Sequence, residues 1–169
     1  DLIAFGIAPG FLLIFGFKYN NPLWYQDNQI KVMVVASVFM LCAALRLAKY
    51  NALDGDEHPD HFVGMPSTLA GAFCALFVIL SEKYGLFTTM PQYILISFAV
   101  LGFLMVSPLF LPKLKPRKNK VFHYVQIVIV LSAYVCGFAM IHHEYLLFIT
   151  ASYAIFGFLI ALTHKGEIA

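Results

Sequence analysis

The chain has 169 residues, of which 61% are hydrophobic and only 12% are charged, and its formal net charge is +2 at pH 7. Soluble globular domains are typically about 45–50% apolar and about 25% charged. This composition therefore excludes an ordinary soluble domain and predicts an integral membrane protein. Because the net charge is small and no nucleic-acid-binding motif is present, we expect no nucleic-acid partner.

Six apolar segments approach the length of about 20 residues that a membrane-spanning helix needs. They are Asp1–Phe17, Ile30–Lys49, Pro66–Leu86, Pro91–Phe110, Phe122–Ile141 and Tyr145–Thr163. The runs are too long and too uniformly apolar for the alternating strands of a membrane barrel. The predicted fold class is an all-α polytopic membrane protein, with residues 1–169 forming a single transmembrane domain. The first segment is short and lacks an initiator methionine, so we expect the sequence to be part of a longer protein.

The basic residues predict the orientation of these segments. Alternating crossings place eight of the eleven lysines and arginines on one side. These eight are Arg46, Lys49, Lys113, Lys115, Arg117, Lys118, Lys120 and Lys165. Since cytoplasmic loops carry the excess of lysine and arginine, this side is predicted to be cytoplasmic. Asp1 lies on the same side.

Four polar residues on the predicted cytoplasmic side are candidates for function, namely Asp1, Arg46, Lys49 and Asn51. Ionisable groups at the edge of a bilayer are costly and are often functional. Arg46 and Lys49 are three residues apart and share a helical face. The alternative for both is a structural role, in which the cation extends from the helix end towards the headgroups.

The acidic string DGDEHPDH, residues 54–61, contains many residue types that bind metals. However, it lacks the spacing of a calcium loop and of a zinc-binding HExxH motif. We interpret it as a solvated acidic turn.

Three strings, DLIAFGIAP, ALRLAKYN and FVGMPSTLAG, occur in this order along the chain. Together they resemble the CDP-alcohol phosphatidyltransferase family, and most closely the branch whose acceptor is L-serine. The resemblance covers most of the chain and implies a C-terminal portion of such an enzyme. It implies transfer of a phosphatidyl group from CDP-diacylglycerol to L-serine, giving phosphatidylserine and CMP, at the cytoplasmic face of the cell membrane.

The resemblance also implies roles for individual residues. Asp1 matches the last aspartate of the family pattern D-x-x-D-G-x-x-A-R followed by G-x-x-x-D-x-x-x-D. It is therefore expected to be the catalytic base and a ligand of Mg²⁺ or Mn²⁺. Arg46, Asn51 and Lys49 are expected to bind substrate. The earlier aspartates of the pattern are absent, so the sequence alone is expected to be inactive. Membrane lipids and a second copy of the chain are the other expected partners.

Two alternatives remain open from the sequence. The first is a related enzyme with another acceptor, such as glycerol phosphate or inositol phosphate. The second is a non-enzymatic transporter or scaffold subunit. A transporter typically has ionisable residues at mid-bilayer depth or interrupted helices in repeated halves. Here the charged residues lie near segment ends, which favours the enzyme.

Overall fold

A computed structural model describes residues 1–52, 61–108, 110–112, 124, 128, 131–133, 135–137, 139 and 141–163. The helices are a short π-helix at Ile3–Ile7, α1 at Ala8–Asn20, α2 at Pro22–Ala52, α3 at Ser67–Lys83, α4 at Leu86–Thr89, α5 at Pro91–Val106 and α6 at His143–Thr163. Two three-residue strands, β1 at His61–Val63 and β2 at Phe110–Pro112, complete the described elements. The predicted helical class is confirmed, whereas the small strand pair was not predicted.

Several predicted boundaries were wrong. The second predicted segment began at Ile30, but α2 begins at Pro22 and runs through a kink at Asn28. The fourth was expected to reach Phe110, but the helix ends at Val106 because Ser107 adopts an extended conformation with ψ of 152°. The predicted segment at residues 122–141 falls mostly outside the described residues.

Two described stretches have the length and apolarity to cross a membrane, Ile3–Asn20 and Pro22–Ala52, so six spans are not shown. The apolar helix Pro91–Val106 is shorter. Only 28% and 33% of the most apolar windows of the two long stretches are buried inside the protein. A core helix of a soluble protein would be mostly buried, whereas a lipid-facing helix exposes apolar side chains. The chain is therefore membrane-associated.

The junction between α1 and α2 is specified by its sequence. Pro22 begins α2, where the missing N–H of proline costs nothing. The side-chain oxygen of Asn21 accepts a hydrogen bond from the Trp24 backbone N–H at 3.3 Å, and its amide donates to the Phe87 carbonyl at 3.0 Å. Asparagine is a favoured residue at this position because it satisfies a free helix N–H. Asn21 thus also joins the junction to α4.

Close helix packing forms the core. Gly6 faces Ala43 of α2, and Gly10 faces Met40 one turn further along. Their small surfaces let the π-helix and α1 approach α2 closely, so these two glycines, spaced as GxxxG, pack within the chain. Phe39 of α2 packs on Phe98 of α5, with the ring centroids 5.5 Å apart.

The strand pair joins two loops at one end of the bundle. β1 and β2 are antiparallel, with His61 opposite Pro112 and Val63 opposite Phe110. Immediately after β1, the Met65 backbone N–H donates to the Leu104 carbonyl of α5 at 3.0 Å. The start of α3 is therefore held against the end of α5.

Candidate active site at the Asp1 end of the bundle

Three elements bring polar residues to the same end of the bundle. Gly71 of α3 lies against Phe5, and the neighbouring residue Gly6 lies against Ala43 of α2. Both helices therefore contact the π-helix at the same height along the bundle. Asp1 precedes Phe5 by one helical turn, and the Asp1 carbonyl accepts the Phe5 N–H at 2.9 Å.

From that level, α2 and α3 also reach the end at which Asp1 lies. Ser67 precedes Gly71 by one turn, and Arg46 follows Ala43 by nearly one turn. The last turns of α2 and the first turn of α3 lie at the same end of the bundle. This end therefore contains Asp1, Arg46 and Ser67.

Arg46 is buried in this end of the molecule, with 9% of its surface exposed. Its Nη1 donates a hydrogen bond to the Ser67 hydroxyl oxygen at 3.0 Å. Ser67 is itself only 3% exposed. The guanidinium is therefore directed towards α3 inside the protein.

The aromatic ring of Tyr50 provides a second contact to Arg46. The guanidinium carbon lies 5.5 Å from the centroid of this ring, within the range of a cation–π interaction. Tyr50 follows Arg46 by four residues, so the two side chains share a helical face, and Tyr50 is exposed. Arg46 is thus held by its own helix and by α3.

The charge of Arg46 has no acidic partner among the described residues. An ion pair joins Lys83 and Glu144, but it lies at the opposite end of the bundle from Arg46. Glu144 also accepts a hydrogen bond there from the Tyr84 hydroxyl, at 2.9 Å. A buried cation without a counter-charge is costly, and an incoming anion offsets that cost. The arrangement is suited to binding a phosphate or a carboxylate.

The structure gives only a general location for the other predicted site residues. Asp1 is exposed, as are Lys49 and Asn51 in the last turn of α2. The structure places all three at the Arg46 end of the bundle, but shows no side-chain contact between Asp1 and Arg46. The acidic string at residues 54–60 lies outside the described residues.

The described residues do not form a metal site by themselves, since no group of three or more His, Cys, Asp or Glu side chains occurs among them. Asp1 is the one described carboxylate at this end of the bundle; Asp27, Glu82 and Glu144 are at the other. Mg²⁺ needs about six ligands with near-ideal geometry. Asp1 supplies at most one of these ligands, so the described residues do not hold such an ion by themselves.

Ser67 was missed by the sequence analysis. The string FVGMPSTLAG was used only for the family resemblance, and its serine received no role. The available signal was a hydroxyl residue directly after Pro66 at the first turn of a helix, on the same side as Arg46. Its pairing with Arg46 depends on the packing of α2 against α3, which spacing alone does not reveal.

Comparison with known proteins supports the resemblance. The chain is 33% identical over 133 residues to the CDP-diacylglycerol–serine O-phosphatidyltransferase of Helicobacter pylori, which is 78% of this chain and 53% of the relative. It is 31% identical over 125 residues to the enzyme of that name from Methanocaldococcus jannaschii, which is 74% of this chain and 50% of the relative. Over about three quarters of its length, this chain is therefore similar to enzymes named CDP-diacylglycerol–serine O-phosphatidyltransferase.

This similarity agrees with the resemblance of the three strings to the branch whose acceptor is L-serine. No protein-family profile matches the chain. The chain spans about half the length of the curated relatives that it matches.

Proposed function

We propose that this chain is part of a membrane enzyme that transfers the phosphatidyl group of CDP-diacylglycerol to L-serine. The observation that carries the proposal is the buried Arg46, which has no described counter-ion and lies at the same end as Asp1. Relatives named for this reaction, similar over about three quarters of the chain, support the choice of substrates.

The proposed reaction assigns a role to each polar group. The serine hydroxyl oxygen forms a bond to the phosphorus that carries diacylglycerol, and the bond from that phosphorus to the CMP oxygen breaks. The serine hydroxyl proton passes to the Asp1 carboxylate, which acts as general base. Arg46 binds an oxyanion of the substrates, and CMP leaves with the electron pair of the broken bond.

The proposal includes a divalent cation, Mg²⁺ or Mn²⁺, with Asp1 as one ligand. When bound, such an ion would neutralise the diphosphate charge. Its remaining ligands would have to come from outside the described residues, since the described part of the chain offers Asp1 alone at this end. Lys49 and Asn51 are proposed to contact the polar parts of the substrates from the exposed end of α2.

We propose a multi-pass protein with about six spans in residues 1–169 and the Asp1 end facing the cytoplasm. The asymmetric distribution of lysine and arginine supports this orientation. The long exposed apolar surfaces of α1 and α2 support contact with lipid. A homodimer is part of the proposal on the basis of family resemblance alone.

The test is a transferase assay on the protein expressed from its complete reading frame and reconstituted in lipid. Labelled CDP-diacylglycerol is supplied with L-serine, glycerol phosphate or inositol phosphate. We expect phosphatidylserine and CMP with L-serine. Product formed only with another acceptor would replace L-serine by that acceptor, and no transfer to any of them would refute the enzymatic proposal.

The role of Asp1 is tested in the same assay with Asp1→Asn. We expect turnover to be abolished while binding of CDP-diacylglycerol persists, because the amide keeps the shape of the side chain but cannot accept the proton. Asp27→Asn is the matched control, since Asp27 is an exposed acid at the opposite end of the bundle. Near-parental turnover by Asp1→Asn would exclude the assignment as general base.

A further inference from the structure

The side chain of Arg46 has more hydrogen-bond donors than partners in the structure. A guanidinium carries five N–H groups in a planar fork. Among the described residues it donates one hydrogen bond, to Ser67, and its charge is not paired with a carboxylate. In a buried position the remaining donors are costly unless another group accepts from them. They are available to a ligand that enters this end of the bundle.

Ser67 fixes the guanidinium relative to a different helix. Residues 53–66 separate α2 from α3, so the bond from Arg46 to Ser67 spans the two helices. The position of Ser67 is itself restrained, because Pro66 directly precedes it and the Met65 N–H is bonded to the Leu104 carbonyl. A guanidinium held in this way loses less conformational entropy when it binds an anion.

The Tyr50 ring makes a second contact to the same guanidinium. The ring lies over the guanidinium carbon at 5.5 Å and belongs to the helix of Arg46, one turn closer to the end. Because an aromatic face attracts a cation, this contact requires the ring and not the tyrosine hydroxyl. We call the Ser67 hydroxyl and the Tyr50 ring together the Arg46 clamp.

We propose that the Arg46 clamp positions the guanidinium as an oxyanion receptor, with Ser67 as the principal positioning residue. This inference rests on the proposed function for its choice of substrates. The shared ligand chemistry is an oxyanion, which can come from the carboxylate of L-serine or from the diphosphate of CDP-diacylglycerol. The clamp residues act through Arg46 and do not themselves need to touch the substrate.

The test compares Ser67→Ala, Ser67→Thr and the parent in the complete, lipid-reconstituted protein. Ser67→Ala removes the acceptor, so we expect the KM for one substrate to rise about tenfold or more, since hydrogen bonds to charged groups are strong. Ser67→Thr keeps a hydroxyl, so its KM should stay close to the parental value. A rise in KM for L-serine identifies its carboxylate as the ligand, and a rise for CDP-diacylglycerol identifies the diphosphate.

A merely structural role for Ser67 predicts a different result. It would lower the thermal midpoint and the amount of folded enzyme while leaving both KM values unchanged, and that result would overturn the proposal. Ser97→Ala is the matched control, since among the described residues the Ser97 hydroxyl bonds to the Tyr93 carbonyl of its own helix, at 2.7 Å. We expect parental KM values from this control.

Tyr50 provides an independent variant. Tyr50→Phe keeps the ring and should retain the parental KM, whereas Tyr50→Leu should raise the KM for the same substrate as Ser67→Ala does. Equal KM values for Tyr50→Leu and the parent would show that the Tyr50 ring does not help to position Arg46.

A binding measurement separates failure of this inference from failure of the proposed function. Inorganic phosphate should raise the thermal midpoint of the parent and of Ser67→Thr, and should raise that of Ser67→Ala less. If no acceptor is turned over but this pattern holds, the proposed function fails and the clamp stands. If phosphate stabilises Ser67→Ala as much as the parent, the clamp is refuted whatever the activity.

Discussion

Arg46 and Lys49 have similar sequence contexts but different surroundings in the structure. Both are cations in the last turns of α2, three residues apart. Arg46 is buried, donates to Ser67 and lies under the Tyr50 ring, whereas Lys49 is exposed. The difference arises because α3 packs against one side of α2 and brings Ser67 beside Arg46. At the scale of the residue, Arg46 is therefore the better supported of the two proposed substrate contacts.

Arg46→Lys tests whether the planar fork is required. Lysine keeps the charge but has a single ammonium that cannot hold Ser67 and an oxyanion in the same bidentate geometry. We expect kcat/KM to fall by roughly tenfold or more, as for the loss of a hydrogen bond to a charged group. Steady-state kinetics in reconstituted vesicles measure this.

Lys31→Arg provides the control for a conservative exchange between two cations, because Lys31 is an exposed cation at the opposite end of the bundle. It should leave kcat/KM at the parental value. Parental kcat/KM for Arg46→Lys would mean that the position requires only a positive charge.

At the scale of the element, the turn from β1 into α3 determines where Ser67 lies. Gly64 has a φ of +75°, a left-handed conformation that side-chain-bearing residues adopt at a cost. A Cβ at this position would lie 2.4 Å from the Met105 carbonyl oxygen at the end of α5. The glycine therefore allows the backbone of the turn to contact α5 directly, and the Met65–Leu104 hydrogen bond follows immediately.

Gly64→Ala is expected to destabilise the protein more than Gly85→Ala. Gly85 has a similar φ of +64°, but a Cβ there would meet only the Thr88 hydroxyl oxygen, at 3.7 Å. Gly85→Ala should thus lower the free energy of unfolding by about 1–2 kcal/mol, the cost of the left-handed conformation. Gly64→Ala adds overpacking against backbone, which typically costs about 1–3 kcal/mol more.

Unfolding midpoints of the two variants in the same detergent give the comparison. The KM of Gly64→Ala should also rise, because Ser67 follows the displaced turn. Equal midpoints for the two variants would show that the turn can move away from α5 without loss.

At the scale of the whole molecule, exposed apolar surface and loop charge indicate how the protein lies in the bilayer. The 31 residues of α2 extend over about 45 Å at 1.5 Å per residue, ignoring the kink. This exceeds the roughly 30 Å of the hydrocarbon core. One end of α2 follows the turn at Asn21, and the other carries Lys49 and Asn51. The proposed orientation places these ends on opposite sides of the membrane.

Cysteine labelling tests that orientation. In a background where Cys42, Cys74 and Cys136 are replaced by alanine, single cysteines are introduced at the exposed positions Lys18 and Asn51. A membrane-impermeant maleimide should label Lys18→Cys in intact cells, and Asn51→Cys only after permeabilisation. The background without Cys42, Cys74 and Cys136 should remain unlabelled. The reverse pattern would invert the proposed orientation, and labelling of both in intact cells would contradict a crossing between them.

The sequence by itself determined the membrane class, the helical fold, the order of the family strings and the candidates Asp1, Arg46, Lys49 and Asn51. These follow from local properties, since apolar length, residue type and spacing are present in the linear chain. Helix ends were predicted less well, because Pro22, Asn28 and Ser107 change the backbone where hydropathy hardly changes. The roles of the four candidates remain predictions.

Only the tertiary structure decided that Arg46 is buried against Ser67, and that a strand pair connects the loops before α3 and after α5. Ser67 is 21 residues from Arg46 along the chain, and β1 is still further from β2. Such contacts depend on how the glycine and alanine surfaces of the helices let them approach, a property of packing that no single segment contains. The same packing decides which of the two neighbouring cations of α2 is buried and which is exposed.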